Sequence, residues 1–127
     1  MFEKLRPNLM VHDVNETVDY YKKVFGAELE MSVPEQGTWD WAMVKMDNVQ
    51  IMFEVRRTMS EGYKGFEGKE IGGTLSFYID VKDVDALHAK VKAAGAKVVD
   101  IYETFYGARE FYVEDLNGYM LTFSSRK

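Results

Sequence analysis

The residues Val11-His12-Asp13-Val14 return as Val81-Lys82-Asp83-Val84, an offset of 70 positions, and Gly26-Ala27 returns as Gly95-Ala96, an offset of 69. Strand, cap, helix and glycine stop therefore recur in one order. A chain that repeats a supersecondary unit buries the apolar face of each copy by packing copies together, which narrows the possible folds more than composition does.

Each copy opens on a short strand and continues as a helix. Asp13 is a candidate N-cap with Glu16 three residues on, a pair resembling a capping box. Val14, Val18, Tyr21 and Phe25 then fall on one stripe of a 3.6-residue period, and Gly26 supplies the left-handed residue that ends it. The second copy repeats the plan with Asp83 as cap, Val84, Leu87, Val91 and Ala94 as stripe, and Gly95 as stop.

Three strand-like runs follow each helix: 28–33, 39–46 and 49–55 in the first copy, 97–101, 109–115 and 119–124 in the second. Asp47-Asn48 and Asp115-Leu116-Asn117-Gly118 are the turns. The stretch 56–73 holds five of the ten glycines, shows no sustained period and reads as a linker, with Tyr63 and Phe66 placed to fold back as a lid. The expectation is an α+β fold of two tandem βαβββ modules in a single domain, with modules at about 5–55 and 74–124.

At 127 residues and 46% hydrophobic content the chain can bury a core. No apolar run approaches the roughly 18–20 residues that span a bilayer, and residues 1–7 lack the apolar centre of a signal peptide, so a soluble cytoplasmic protein without a membrane role is expected. A formal charge of −5 disfavours nucleic acid as a partner, and the basic pairs Lys22-Lys23 and Arg56-Arg57 read as solvated surface. The absence of cysteine removes disulfides, thiolate nucleophiles and cysteine-based zinc sites. The two histidines, His12 and His88, have no serine near them in the pattern, so a nucleophilic triad has no support.

Val-x-Asp, the aromatic pair Tyr20-Tyr21, Phe25-Gly26 and the turn Asp115–Gly118, with Leu116 where proline is usual, resemble the vicinal-oxygen-chelate superfamily. That group includes glyoxalase I, extradiol dioxygenases and the fosfomycin- and bleomycin-resistance proteins. The resemblance covers about residues 5–124 and implies the paired-module fold. It also implies four inward metal-ligand positions, which fall here on Arg6, Met52, Ser76 and Thr122. None of the four offers the imidazole, carboxylate or thiolate that a divalent ion wants, so neither a metal nor another cofactor is expected.

Strand alternation sorts the faces. Leu9, Val11, Ala42, Val44, Ile51, Phe53, Phe77, Ile79 and Val81 are expected under the helices. The other parity carries Trp39, Trp41, Met43, Met52, Glu54, Tyr78 and Tyr112, the candidate ligand-binding residues, with Glu110 on the side of Tyr112. Aromatic rings and methionines with a carboxylate suit an aromatic or cationic small molecule held between two concave faces. The same residues would also serve as core or as a dimer interface.

Three functions stay open on the sequence. The first is a metal-free binding protein of the bleomycin-resistance type, working as a homodimer with no catalytic residues. The second is a metal-dependent lyase, isomerase or dioxygenase of the same superfamily. The third is a non-catalytic interaction module.

Overall fold

Asp13 and Asp83 cap their helices as the repeat predicts. In a computed structural model, which describes residues 1–126, Asp13 Oδ1 accepts the Glu16 main-chain N–H at 2.9 Å and Asp83 Oδ1 accepts that of Ala86 at 3.0 Å. Gly26 and Gly95 follow the helices at φ 70° and 87°, a region open to glycine at little steric cost.

The chain divides into two compact units, Met1–Gly72 and the part from Gly73 on. The first holds β1 (Asn8–Val11), α1 (Val14–Phe25), β2 (Glu28–Val33), β3 (Trp41–Met46) and β4 (Val49–Val55), followed by α2 (Arg56–Gly62) and a 3-10 turn at Lys64–Phe66. The second holds β5 (Ser76–Asp80), α3 (Val84–Ala93), β6 (Lys97–Val98), β7 (Tyr102–Glu103), β8 (Ala108–Glu114) and β9 (Met120–Arg126). The sheet orders are β1-β4-β3-β2 and β5-β9-β8-β6, with β7 also on β8. In each, the first strand runs parallel to the last, and the other pairings are antiparallel.

The cores lie under the long helices. Leu9, Val11, Ala42, Val44, Ile51 and Phe53 are buried, and the Phe53 ring lies 4.8 Å from that of Tyr21 on α1. In the second unit Phe111, Val113, Leu121 and Phe123 are buried with Val84 and Val91 of α3, while Phe77, Ile79 and Val81 are only half-buried.

Three sequence expectations need correction. The stretch 56–73 contains α2, which packs on β1 and β4 and buries Met59. A seven-residue helix with one buried side chain leaves no periodic trace. Tyr63 and Phe66 pack on each other with ring centres 5.5 Å apart.

In place of one strand over 97–101 the structure has two short ones, β6 at Lys97–Val98 and β7 at Tyr102–Glu103. Val98 pairs with Val113 and Tyr102 with Glu110, so one side advances a residue further than the other, a β-bulge. The matching strand of the first unit bulges too: Leu29 pairs with Val44 but Met31 with Met43. Finally, β3 begins at Trp41, which leaves Trp39 in the preceding loop, its main-chain N–H donating to Asn15 Oδ1 at 2.9 Å.

Candidate functional site

On the first sheet, the face turned away from α1 carries two rows of side chains in cross-strand register. One runs Asn8, Met52, Met43, Met31; the next runs Met10, Glu54, Trp41, Val33. Trp41, Met43, Met52 and Glu54 are all half-buried. Asn8 Nδ2 donates to Glu54 Oε1 at 2.9 Å, which anchors the carboxylate beside the indole position. Among the described residues, Asn8 Oδ1 is buried without a partner. A third row is polar: Arg6 Nε donates to Gln50 Oε1 at 3.0 Å, and Gln50 Nε2 donates to Glu30.

These bonds test whether a metal fits the positions that the resemblance implies. Arg6 is a cation engaged with Gln50. Met52 offers a thioether, which suits soft metals only. Ser76 Oγ and Thr122 Oγ1 are bonded to each other at 2.7 Å. Among the described residues no three His, Cys, Asp or Glu side chains gather as a metal site. The donor set does not fit a resident divalent ion. His88 is engaged elsewhere, its Nε2 3.0 Å from the Val99 carbonyl and its ring on Phe111.

The second sheet holds Tyr78 and Tyr112 on either side of Thr122 in one row. Its most unusual group is Glu110, which is 3% exposed. Glu110 Oε2 accepts from the Tyr78 hydroxyl and from the Tyr106 hydroxyl at 2.7 Å; Oε1 has a longer contact, 3.5 Å, with that of Tyr102. The Tyr78 oxygen also lies 2.9 Å from Ser124 Oγ. Burial pushes the Glu110 carboxyl up, but hydrogen bonds from Tyr78, Tyr106, Ser124 and Tyr102 outweigh it and hold its pKa below the ordinary 4.5. The Tyr106 phenol is raised, first by its bond to Glu110, and Tyr102 is raised by burial and then by the Glu110 charge.

A pH dependence follows from the sign of the Glu110 shift. Because the folded pKa is depressed, the group stabilises the fold fully above 4.5 and loses that contribution as pH falls through its folded value. Glu110→Gln is expected to flatten the acid limb of stability against pH in denaturant titrations. An unchanged slope below pH 4.5 would contradict the hydrogen-bonded carboxylate.

The register therefore brings Trp41, Met43, Met52 and Glu54 together, and Tyr78 with Tyr112 separately; Trp39 lies outside the strand. Sequence reasoning placed Glu110 on the face of Tyr112 but gave it no environment. It missed Tyr102, Tyr106 and Ser124. The trace of the two tyrosines was the density of that residue at 102, 106 and 112, around Glu103 and Glu110.

Two βαβββ units with this repeat define a familiar class. Residues 5–123 match the family model of the Glyoxalase/Bleomycin resistance protein/Dioxygenase superfamily, and the chain belongs to that superfamily. Among curated proteins none matches the sequence. Solved structures share the fold. TioX from Micromonospora sp. ML1 is 22% identical, with 99% of this chain and 100% of that chain covered and a TM-score of 0.78. A glyoxalase-related enzyme from Clostridium phytofermentans is 21% identical, with 100% and 97% covered and a TM-score of 0.77. A bleomycin-binding protein from Streptomyces verticillus, complexed with copper(II)-bleomycin, is 22% identical, with 100% and 98% covered and a TM-score of 0.70. No helix among the described residues is long and apolar enough to cross a membrane.

Proposed function

We propose that the protein binds a small aromatic or cationic molecule and sequesters it, without metal and without catalysis. The row Met10–Glu54–Trp41, beside Met52–Met43–Met31, carries this reading. An indole attracts cations, thioether chains adapt to irregular shapes, and Glu54 supplies a fixed negative charge. Tyr78 and Tyr112, on the second sheet, and Trp39, in the loop before β3, are the further residues proposed to bind ligand. The fold relative named as a bleomycin-binding protein supports a binding role. A metal-dependent lyase, isomerase or dioxygenase is the alternative, and the donors at positions 6, 52, 76 and 122 argue against it. The proposed working form is a cytoplasmic homodimer, since β2 is a sheet edge with Met31 and Val33 exposed along it, and such edges invite pairing.

A thermal-shift screen tests the reading, because a ligand that binds only the folded state raises the melting temperature. Cationic aromatic compounds are expected to raise it; zinc, nickel, manganese and iron are not. A metal that raises it and stays bound at one equivalent after dialysis defeats the metal-free reading. The same samples should sediment at twice the 14.7 kDa chain mass, and a single 14.7 kDa species would rule out the dimer.

A further inference from the structure

We infer that Glu110 and the tyrosines around it form a binding locus for the protonated primary or secondary amine of a small molecule. The inference rests on the ligand-binding reading and gives the ligand a chemical class.

Glu110 is a buried carboxylate that no cation pairs with among the described residues. The ion pairs among the described residues use Asp40, Glu114, Asp85 and Glu103 as their acids. The groups that bond Glu110 are neutral hydroxyls, of Tyr78, Tyr106, Tyr102 and Ser124. Such dipoles hold an ionised carboxylate in place without cancelling its charge, and burial reduces the screening that water would provide. The lowered pKa keeps that charge present at neutral pH.

The two oxygens are not equivalent. Oε2 takes the bonds from Tyr78 and Tyr106, whereas the tyrosine contact of Oε1, with Tyr102, is longer at 3.5 Å. A carboxylate oxygen accepts at more than one lone pair, so Oε1 can take a further N–H. The phenols give their protons to Glu110, which leaves their oxygens as acceptors as well.

The rings supply the rest of the site. Tyr112, Tyr102, Tyr106 and Tyr78 remain between 37% and 50% exposed although their neighbour Glu110 is buried. Aromatic faces attract cations, and one of these already holds one: the Arg126 guanidinium lies 5.3 Å from the centre of the Tyr106 ring. The Arg126 Nη1 donates to the Tyr106 carbonyl rather than to Glu110. The combination of ring faces and an N–H acceptor favours an ammonium with protons to give over a quaternary one.

Calorimetric titration of the full chain with benzylammonium, benzyl alcohol and benzyltrimethylammonium tests this. Benzylammonium is expected to bind about tenfold tighter than benzyl alcohol, with the quaternary ion weaker than the primary one. Glu110→Gln should erase the preference for amine over alcohol. Equal binding of amine and alcohol by the wild type, or a preference that survives Glu110→Gln, overturns the inference. Where Glu110→Gln fails to fold, carbon-13 NMR of the wild type decides: benzylammonium must shift the Glu110 carboxyl and the Tyr78 and Tyr102 ring signals, and unmoved signals overturn the locus. If the broader ligand-binding reading is wrong, none of the aromatic compounds binds; if only this inference is wrong, they bind with a selectivity that Glu110→Gln leaves unchanged.

Discussion

Phe53→Ala is expected to destabilise the protein by about 3–5 kcal/mol and to lower its melting temperature by roughly 10–20 °C. Phe53 is fully buried, stands in register with Leu9 of β1 and Ala42 of β3, and touches the Tyr21 ring of α1. Ala42 is already small, and Tyr21 is held by its own helix and by Phe25 at 5.3 Å. The neighbours therefore cannot close the space, and a cavity remains beneath α1. Chemical denaturation reads the change directly. A loss below about 1 kcal/mol would mean that the α1 interface repacks freely, contrary to the close packing of protein cores.

Trp41→Ala should behave in the opposite manner, although Trp41 and Phe53 sit on adjoining strands. Trp41 pairs with Glu54 on the face away from α1 and is only half-buried. Its loss is expected to leave the chain folded and to weaken a cationic aromatic ligand by about 1–3 kcal/mol, the range for removing an aromatic contact. Added salt should narrow the difference between charged and neutral ligands by screening Glu54. Stability and affinity measured on one sample separate the outcomes. A mutant that unfolds makes Trp41 a core residue; a folded mutant with unchanged affinity removes it from the site.

Features written in local periods were legible in the sequence. The caps Asp13 and Asp83, the stripe Val14–Val18–Tyr21–Phe25 and the parity that separates Phe53 from Glu54 depend on spacing within a few residues. What alternation could not supply is the effect of an inserted residue. The bulge in β2 turns Met31 to the side of Met43, and the bulge between β6 and β7 sets Tyr102 opposite Glu110. One extra residue flips every side chain beyond it, and no residue type marks where that occurs. Glu110 was hidden for a related reason. Its hydroxyl partners come from positions 78, 102 and 106, and only the sheet order brings Tyr78 to it.

The parallel pairing of first and last strands also sets how each unit is assembled in time. Asn8 meets Met52, and Ser76 meets Met120, a separation of 44 residues in both cases. Hairpins such as β3–β4 and β8–β9 form from near neighbours, whereas β1 and β5 must wait for strands made much later. Closing either loop costs about 3 kcal/mol of chain entropy on the logarithmic law, beyond a constant. Side chains differ between the copies, and the second unit has two short strands, β6 and β7, where the first has β2. The separation across the closing loop is the same, so both units meet the same entropic step on the way to the folded state.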